Sequence, residues 1–197
     1  MLLVLQAPRP VFAALRDDSD DAAAARQEPV TALVLLAGLS GVLATSVTGQ
    51  LLNDPEFDAL LIAVWAVVAG GIHGIAGYFL VGGLVYAGAT FAGGTGSYRR
   101  ARHLAAYAAA PLVLALLLWP PRLAVHGEDT FRRGGADDGA ANVVFEGLEV
   151  AAIAWGVVLL AIGVKTVHGW SWPRALAVTA LAAAVPALAY ARAWGVL

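Results

Sequence analysis

One uncharged run of 40 residues, from Ala59 to Tyr98, constrains the fold of this chain more than any other feature. A helix crosses the hydrocarbon layer of a membrane with about 20 apolar residues, and a water-soluble domain has no place for an uncharged run twice that long. The composition agrees, because 13% of the residues are charged, whereas a soluble chain has about 25%. The sequence therefore predicts an integral membrane protein.

The long run permits either one long helix or a hairpin of two helices. A hairpin needs a polar turn near its middle, where the run offers only Gly70, Gly71 and Gly74. A break at Gly70 would also leave a first piece of about 12 residues, which is too short to span. We therefore predict one long helix from Asp58 to Phe91, followed by a turn at residues 93–96.

Four further segments have the length and apolar character of spans, which gives five in all. They are Val30–Gly49, Arg102–Trp119, Val143–Thr166 and Trp172–Ala193. Pro111 is predicted to kink the third span, and Pro120-Pro121 to end it, because proline removes a backbone donor. Residues 29–197 would form this five-helix domain, and residues 1–28 a cytoplasmic segment before it.

The cytoplasmic segment permits two interpretations at each of its parts. Pro10 could open a short amphipathic helix that lies on the membrane surface, or the residues around it could form an unstructured tail. Residues 17–27 contain four Asp and read as a solvated linker or as an extension of the first helix outside the membrane.

The distribution of basic residues predicts the orientation. Five spans with a cytoplasmic N-terminus place eight Lys and Arg residues inside and four outside, whereas a hairpin in the long run gives seven and five. Since basic residues favour the cytoplasmic side, we predict an all-α bundle of five transmembrane helices with the C-terminus outside. One Lys against eleven Arg, with many Ala, favours a prokaryote and hence its plasma membrane.

Several classes of function find no support in the residues. The net charge of −2 and the absence of a basic face argue against nucleic-acid binding. Cysteine is absent, and no Ser/His/Asp or His-Glu-x-x-His pattern is present, so we predict no enzyme, cofactor or metal site. Glu146 and Glu149 could cap the fourth span, line a cation entrance, or bind a metal together with His126.

His73 is the only ionisable residue deep inside a predicted span. Such a residue is costly in lipid and points to function, as a proton relay or a substrate ligand. The alternative is a neutral imidazole that hydrogen-bonds to a neighbouring helix. Gly70 and Gly74 form a Gly-x-x-x-Gly pair, which Gly77 and Tyr78 continue, and which could pack helices within one chain or join two copies.

The segment Gly93–Ser97 reads as a turn at the membrane surface. A phosphate-binding loop is excluded because no strand precedes it and the Gly-x-x-x-x-Gly-Lys-[Ser/Thr] pattern is missing. Arg99, Arg100 and Arg102 follow the turn, and we expect them to reach anionic headgroups.

Segments along nearly the whole chain are similar to one known family. They are Pro10–Leu15, the long second span with Gly93–Ala101 after it, Tyr107–Pro111, and Gly163–Ser171. In these the chain resembles prokaryotic members of the Ypt-interacting protein (Yip) domain family. The resemblance implies five spans, a cytoplasmic N-terminus and a membrane-organising or adaptor role.

Eukaryotic relatives in that family bind prenylated Rab-type GTPases and carry an Asp-Leu-Tyr-Gly-Pro signature before the first span. This chain has Arg26-Gln27-Glu28-Pro29 there, so a GTPase partner is not expected. We expect a non-enzymatic membrane protein that acts by helix packing, self-association or partner binding, with lipids, further copies or other membrane proteins as partners. The alternative is a small transporter or channel for an ion or solute, with His73 on its pathway and helices bent at Pro111 and Pro186.

Overall fold

The computed structural model describes residues 3–136 and 139–193, which are mostly helical and contain no strand. In chain order the helices are α1 (Leu3–Gln6), α2 (Pro8–Ala14), α3 (Asp20–Leu43), α4 (Ala59–Phe91), α5 (Tyr98–Ala108), α6 (Ala110–Ala115), α7 (Trp119–His126), α8 (Ala140–His168) and α9 (Trp172–Ala193). Short 3-10 segments lie at Thr48–Asn53, Leu116–Leu118 and Gly127–Phe131.

The uncharged run forms a single helix, α4, of 33 residues, which corresponds to a length of about 50 Å. It begins where the Asp58 carboxylate accepts a hydrogen bond from the backbone N–H of Leu61 at 2.8 Å. It ends before Gly93, whose positive φ of 75° reverses the chain. The prediction of one long helix is confirmed.

The first predicted span is wrong at its C-terminal boundary. Helix α3 ends at Leu43 rather than Gly49, because the hydroxyls of Thr45 and Thr48 donate to the carbonyl of Val42 at 2.7 Å and 2.6 Å. Side chains that satisfy the last carbonyls of a helix compete with its continuation. At the other end, α3 extends back to Asp20, so most of residues 17–27 extends the helix.

The third predicted span is divided into shorter helices. The chain turns at Ala109, and Pro111 lies in the first turn of α6, so the helix is interrupted near the proline as expected. Pro120 and Pro121 do not end the helical path, and that prediction is wrong. They lie in the first turn of α7. A backbone N–H at this position would have no hydrogen-bond partner within the helix, so proline is tolerated there.

The outer surface of the bundle is apolar. Leu60, Val67 and Ile72 of α4 are 74%, 67% and 66% exposed. A water-soluble protein rarely exposes so many large apolar side chains side by side. Within the part of the chain that the structure describes, three helical segments are long and apolar enough to cross a membrane, namely Ala59–Phe91, Tyr98–Phe131 and Ala140–His168, and Trp172–Leu188 is a shorter apolar helix. The chain is therefore built as a helical membrane protein.

Candidate functional site

Three glycines form the contact between α3 and α4. A Cβ at Gly74 would fall 2.1 Å from the carbonyl oxygen of Val34, and one at Gly38 would fall 2.2 Å from the carbonyl oxygen of Gly70. Only backbone fits into these gaps, so the two helices touch along the Gly70–Gly74 pair. The structure thus places this pair inside one chain, opposite Gly38.

His73 lies on the outside of the bundle. Its side chain is exposed and borders α3, where a Cβ at Gly41 would fall 3.0 Å from Nε2 of the imidazole. No residue of the described chain hydrogen-bonds to it. A Cβ at Gly77, one turn further along, would meet no atom within 4 Å, so this part of α4 presents a polar ring and a small residue outward.

The N-terminal segment (residues 3–18) packs into the bundle rather than lying on its surface or remaining free. Phe12 and Leu15 are fully buried, at 0% and 1% exposure. A Cβ at Gly163 of α8 would fall 3.0 Å from the Phe12 ring, so this glycine makes room for the phenyl group. Arg16 fixes the end of the segment by donating from Nε to the carbonyl of Thr166 at 3.1 Å.

Asp18 joins the N-terminal segment to the start of α5. Its carboxylate accepts hydrogen bonds from Ser97, which is the N-cap of α5, and from Arg99 at 3.2 Å. Arg99 also pairs with Asp20 at 2.7 Å, and Arg100 donates to the carbonyl of Arg16 at 3.0 Å. Two of the three arginines predicted to reach headgroups thus bind the N-terminal segment.

The pKa of Asp18 reflects two opposing influences. Partial burial raises the pKa, but the hydrogen bonds from Ser97 and Arg99, with the charges of Arg99 and Arg100, outweigh it and hold the pKa below its ordinary value. The carboxylate is therefore charged at neutral pH, and the junction is held by charge-assisted hydrogen bonds.

Arg102 stands apart from its two neighbours because its guanidinium lies among aromatic rings. The guanidinium carbon is 5.2 Å from the ring centre of Tyr78, 4.8 Å from that of Phe79 and 4.7 Å from that of Tyr98. Gly82 lies under its stem, since a Cβ there would fall 2.5 Å from Cγ of Arg102. These distances are those of cation–π contacts.

A polar network occupies the opposite end of the bundle. Arg122 donates to Glu149 at 3.1 Å and to Asn142 at 3.0 Å, and Asn142 donates to Glu146 at 2.9 Å. The interpretation of Glu146 and Glu149 as helix caps is wrong, because α8 already begins at Ala140. In the described residues no three His, Asp or Glu side chains are grouped to hold a metal.

The comparison with protein families agrees with this all-helical membrane architecture. A family model for the Yip1 domain matches residues 2–192. The chain belongs to the Yip1 domain family. Neither a curated protein nor a solved structure matches it significantly. The match includes the N-terminal segment, so α1 and α2 are part of the Yip1 domain.

Several contacts of this Yip1 domain join residues that the sequence does not bring together. Gly38 had a signal in the sequence, because a glycine inside a predicted span allows another helix to approach closely. Asp18 and Arg122 carry no such signal, because their partners lie 79 and 27 residues away in the chain. Only the folded topology brings those pairs together.

Proposed function

We propose that this Yip1-domain protein is a non-enzymatic protein of a prokaryotic plasma membrane that works by self-association, through the outer face of α4 around His73. The observation that carries the proposal is an exposed imidazole in the middle of an apolar helix. A polar group in lipid without a hydrogen-bond partner is costly. A partner helix at this face would supply the missing hydrogen bond.

A second copy of the chain suits this role. A neutral imidazole offers one donor and one acceptor, so at a two-fold axis one His73 ring can donate its N–H to the unprotonated nitrogen of the other ring, which takes the other tautomer. Ala76 is exposed and Gly77 half-buried beside it, and small residues allow helices to approach closely. Both the polar contact and the close approach are then provided by one face.

We further propose five spans with the N-terminus in the cytoplasm. Contacts at the two ends of the bundle support this. The N-terminal segment, the start of α5 and the end of α8 meet at one end, through Asp18–Ser97 and Arg16–Thr166. Gln50 and Arg133 meet at the other end, at 2.6 Å. This alternation is what successive crossings of the membrane produce.

The transporter alternative is less well supported. A pathway inside the bundle would need His73 to face inward, whereas its side chain lies on the outside. The backbone contact at Gly38, Gly70 and Gly74 also leaves no gap between α3 and α4. A solute flux in proteoliposomes that His73→Ala abolishes would nevertheless favour transport over self-association.

The test uses the absence of cysteine from the chain. A single cysteine at Ala76 should form a disulfide between two copies in native membranes, whereas a control cysteine at Val150 of α8, which is 57% exposed, should not. His73→Leu should reduce the cross-linking at position 76. Equal cross-linking at both positions, or none at position 76, would contradict the proposal.

A further inference from the structure

Arg102 lies among aromatic rings and forms no ion pair or side-chain hydrogen bond with the described part of the chain. We propose that Arg102, with the rings of Tyr78, Phe79 and Tyr98, binds the phosphodiester of an anionic phospholipid. This site is separate from the His73 face and requires only that the chain lies in a membrane, so each proposal can fail without the other.

Arg102 differs from the two neighbouring arginines in its partners. Arg99 forms ion pairs with Asp18 and Asp20, and Arg100 donates to the backbone of Arg16. The guanidinium of Arg102 has no carboxylate partner and no hydrogen-bond acceptor among residues 3–136 and 139–188. No acidic side chain therefore neutralises its charge, and its terminal N–H groups remain for an external anion.

The aromatic rings also fix the orientation of the Arg102 guanidinium. The centres of three aromatic rings lie 4.7–5.2 Å from the guanidinium carbon. These rings hold the guanidinium plane in one orientation without accepting a hydrogen bond from its N–H groups. Gly82 has no side chain, whereas a Cβ at this position would clash with the aliphatic stem of Arg102. An arginine fixed in this way presents a fork that matches two phosphate oxygens.

The surface beside the guanidinium favours a lipid over a free phosphate ion. Phe79 and Leu80 are 44% and 63% exposed beside the guanidinium, so apolar surface continues from the site along α4. An acyl chain can lie on that surface while its phosphate reaches Arg102. Tyr98 and Tyr86 stand in the same group of rings, with centres 5.8 Å apart, and such aromatic side chains are typical of the headgroup level.

Native mass spectrometry of the full chain in detergent tests the proposal, with phosphatidylglycerol and phosphatidylcholine as probes. The wild type should retain one phosphatidylglycerol in preference to phosphatidylcholine. Arg102→Gln should weaken that retention by at least about tenfold, since hydrogen bonds to charged groups contribute about that much. Arg9→Gln, which removes the same charge from an exposed position, should leave it unchanged.

Three results would overturn the proposal. Equal retention in Arg102→Gln and wild type would leave the arginine only a packing role. Displacement of the lipid by millimolar inorganic phosphate would indicate a small-anion site. Retention of both lipids alike by the wild type would remove the anionic preference, and this measurement decides the question even if Arg102→Gln does not fold.

Discussion

Replacing Gly74 with alanine tests the closeness of the α3–α4 contact. The new Cβ would fall 2.1 Å from the carbonyl oxygen of Val34 and 3.2 Å from Cα of Gly38. Both neighbours are backbone atoms, so the helices must separate by roughly 1 Å to restore ordinary contact. Overpacking of this kind costs about 3 kcal/mol at its upper end, and alanine returns about 1 kcal/mol of helix propensity.

The free energy of unfolding in Gly74→Ala should therefore fall by about 2 kcal/mol. Reversible unfolding in mixed detergent micelles, followed by far-ultraviolet circular dichroism, measures this change. Gly77→Ala is the matched control, because nothing lies within 4 Å of its Cβ, and it should be neutral or slightly stabilising. If the two variants were equally stable, the close backbone contact would be refuted.

Three further changes test other parts of the bundle. Phe12→Ala should lower the unfolding free energy by about 3 kcal/mol, since the ring is fully buried; an unchanged value would show that the N-terminal segment is not packed. Arg122→Gln should cost about 3 kcal/mol by leaving the Glu149 carboxylate buried without its cation, whereas the double replacement with Glu149→Gln should recover part of that loss. The pKa of Asp18 is lower in the folded protein than in the unfolded chain. The contribution of this carboxylate to the free energy of unfolding is therefore fully present above the unfolded pKa of about 3.9 and is lost as the pH falls through the folded pKa. Protease cleavage of the N-terminal segment should then increase at acid pH in the wild type but be independent of pH in this range in Asp18→Asn.

Much of the fold could be predicted from hydrophobicity alone. The uncharged run identifies α4, and the absence of a polar turn within it favours one helix over a hairpin. Helix boundaries that depend on single side chains could not be predicted from hydrophobicity. The end of α3 is set by hydroxyls of Thr45 and Thr48 on one carbonyl, and both residues are also compatible with a continuing apolar helix.

Some candidate site residues could likewise be identified from the sequence, whereas their contacts could not. Gly70 and Gly74 could be identified from their spacing, but which helix they touch depends on the tertiary arrangement. His73 was expected inside a span, and only the packing shows that its side chain points outward. Arg99, Arg100 and Arg102 have similar sequence surroundings, yet two of them bind the N-terminal segment and one lies among rings, because Asp18 and Tyr78 come from distant parts of the chain.

The most direct test of this account is the side of the membrane on which each end of α4 lies. Asp54 precedes the helix and Gly96 follows it, and both are exposed. Single cysteines at these positions should react with a membrane-impermeant maleimide from opposite sides of sealed cells, with position 54 accessible from outside and position 96 only after lysis. Labelling of both from the same side would show that the helix does not cross the bilayer and would contradict the account.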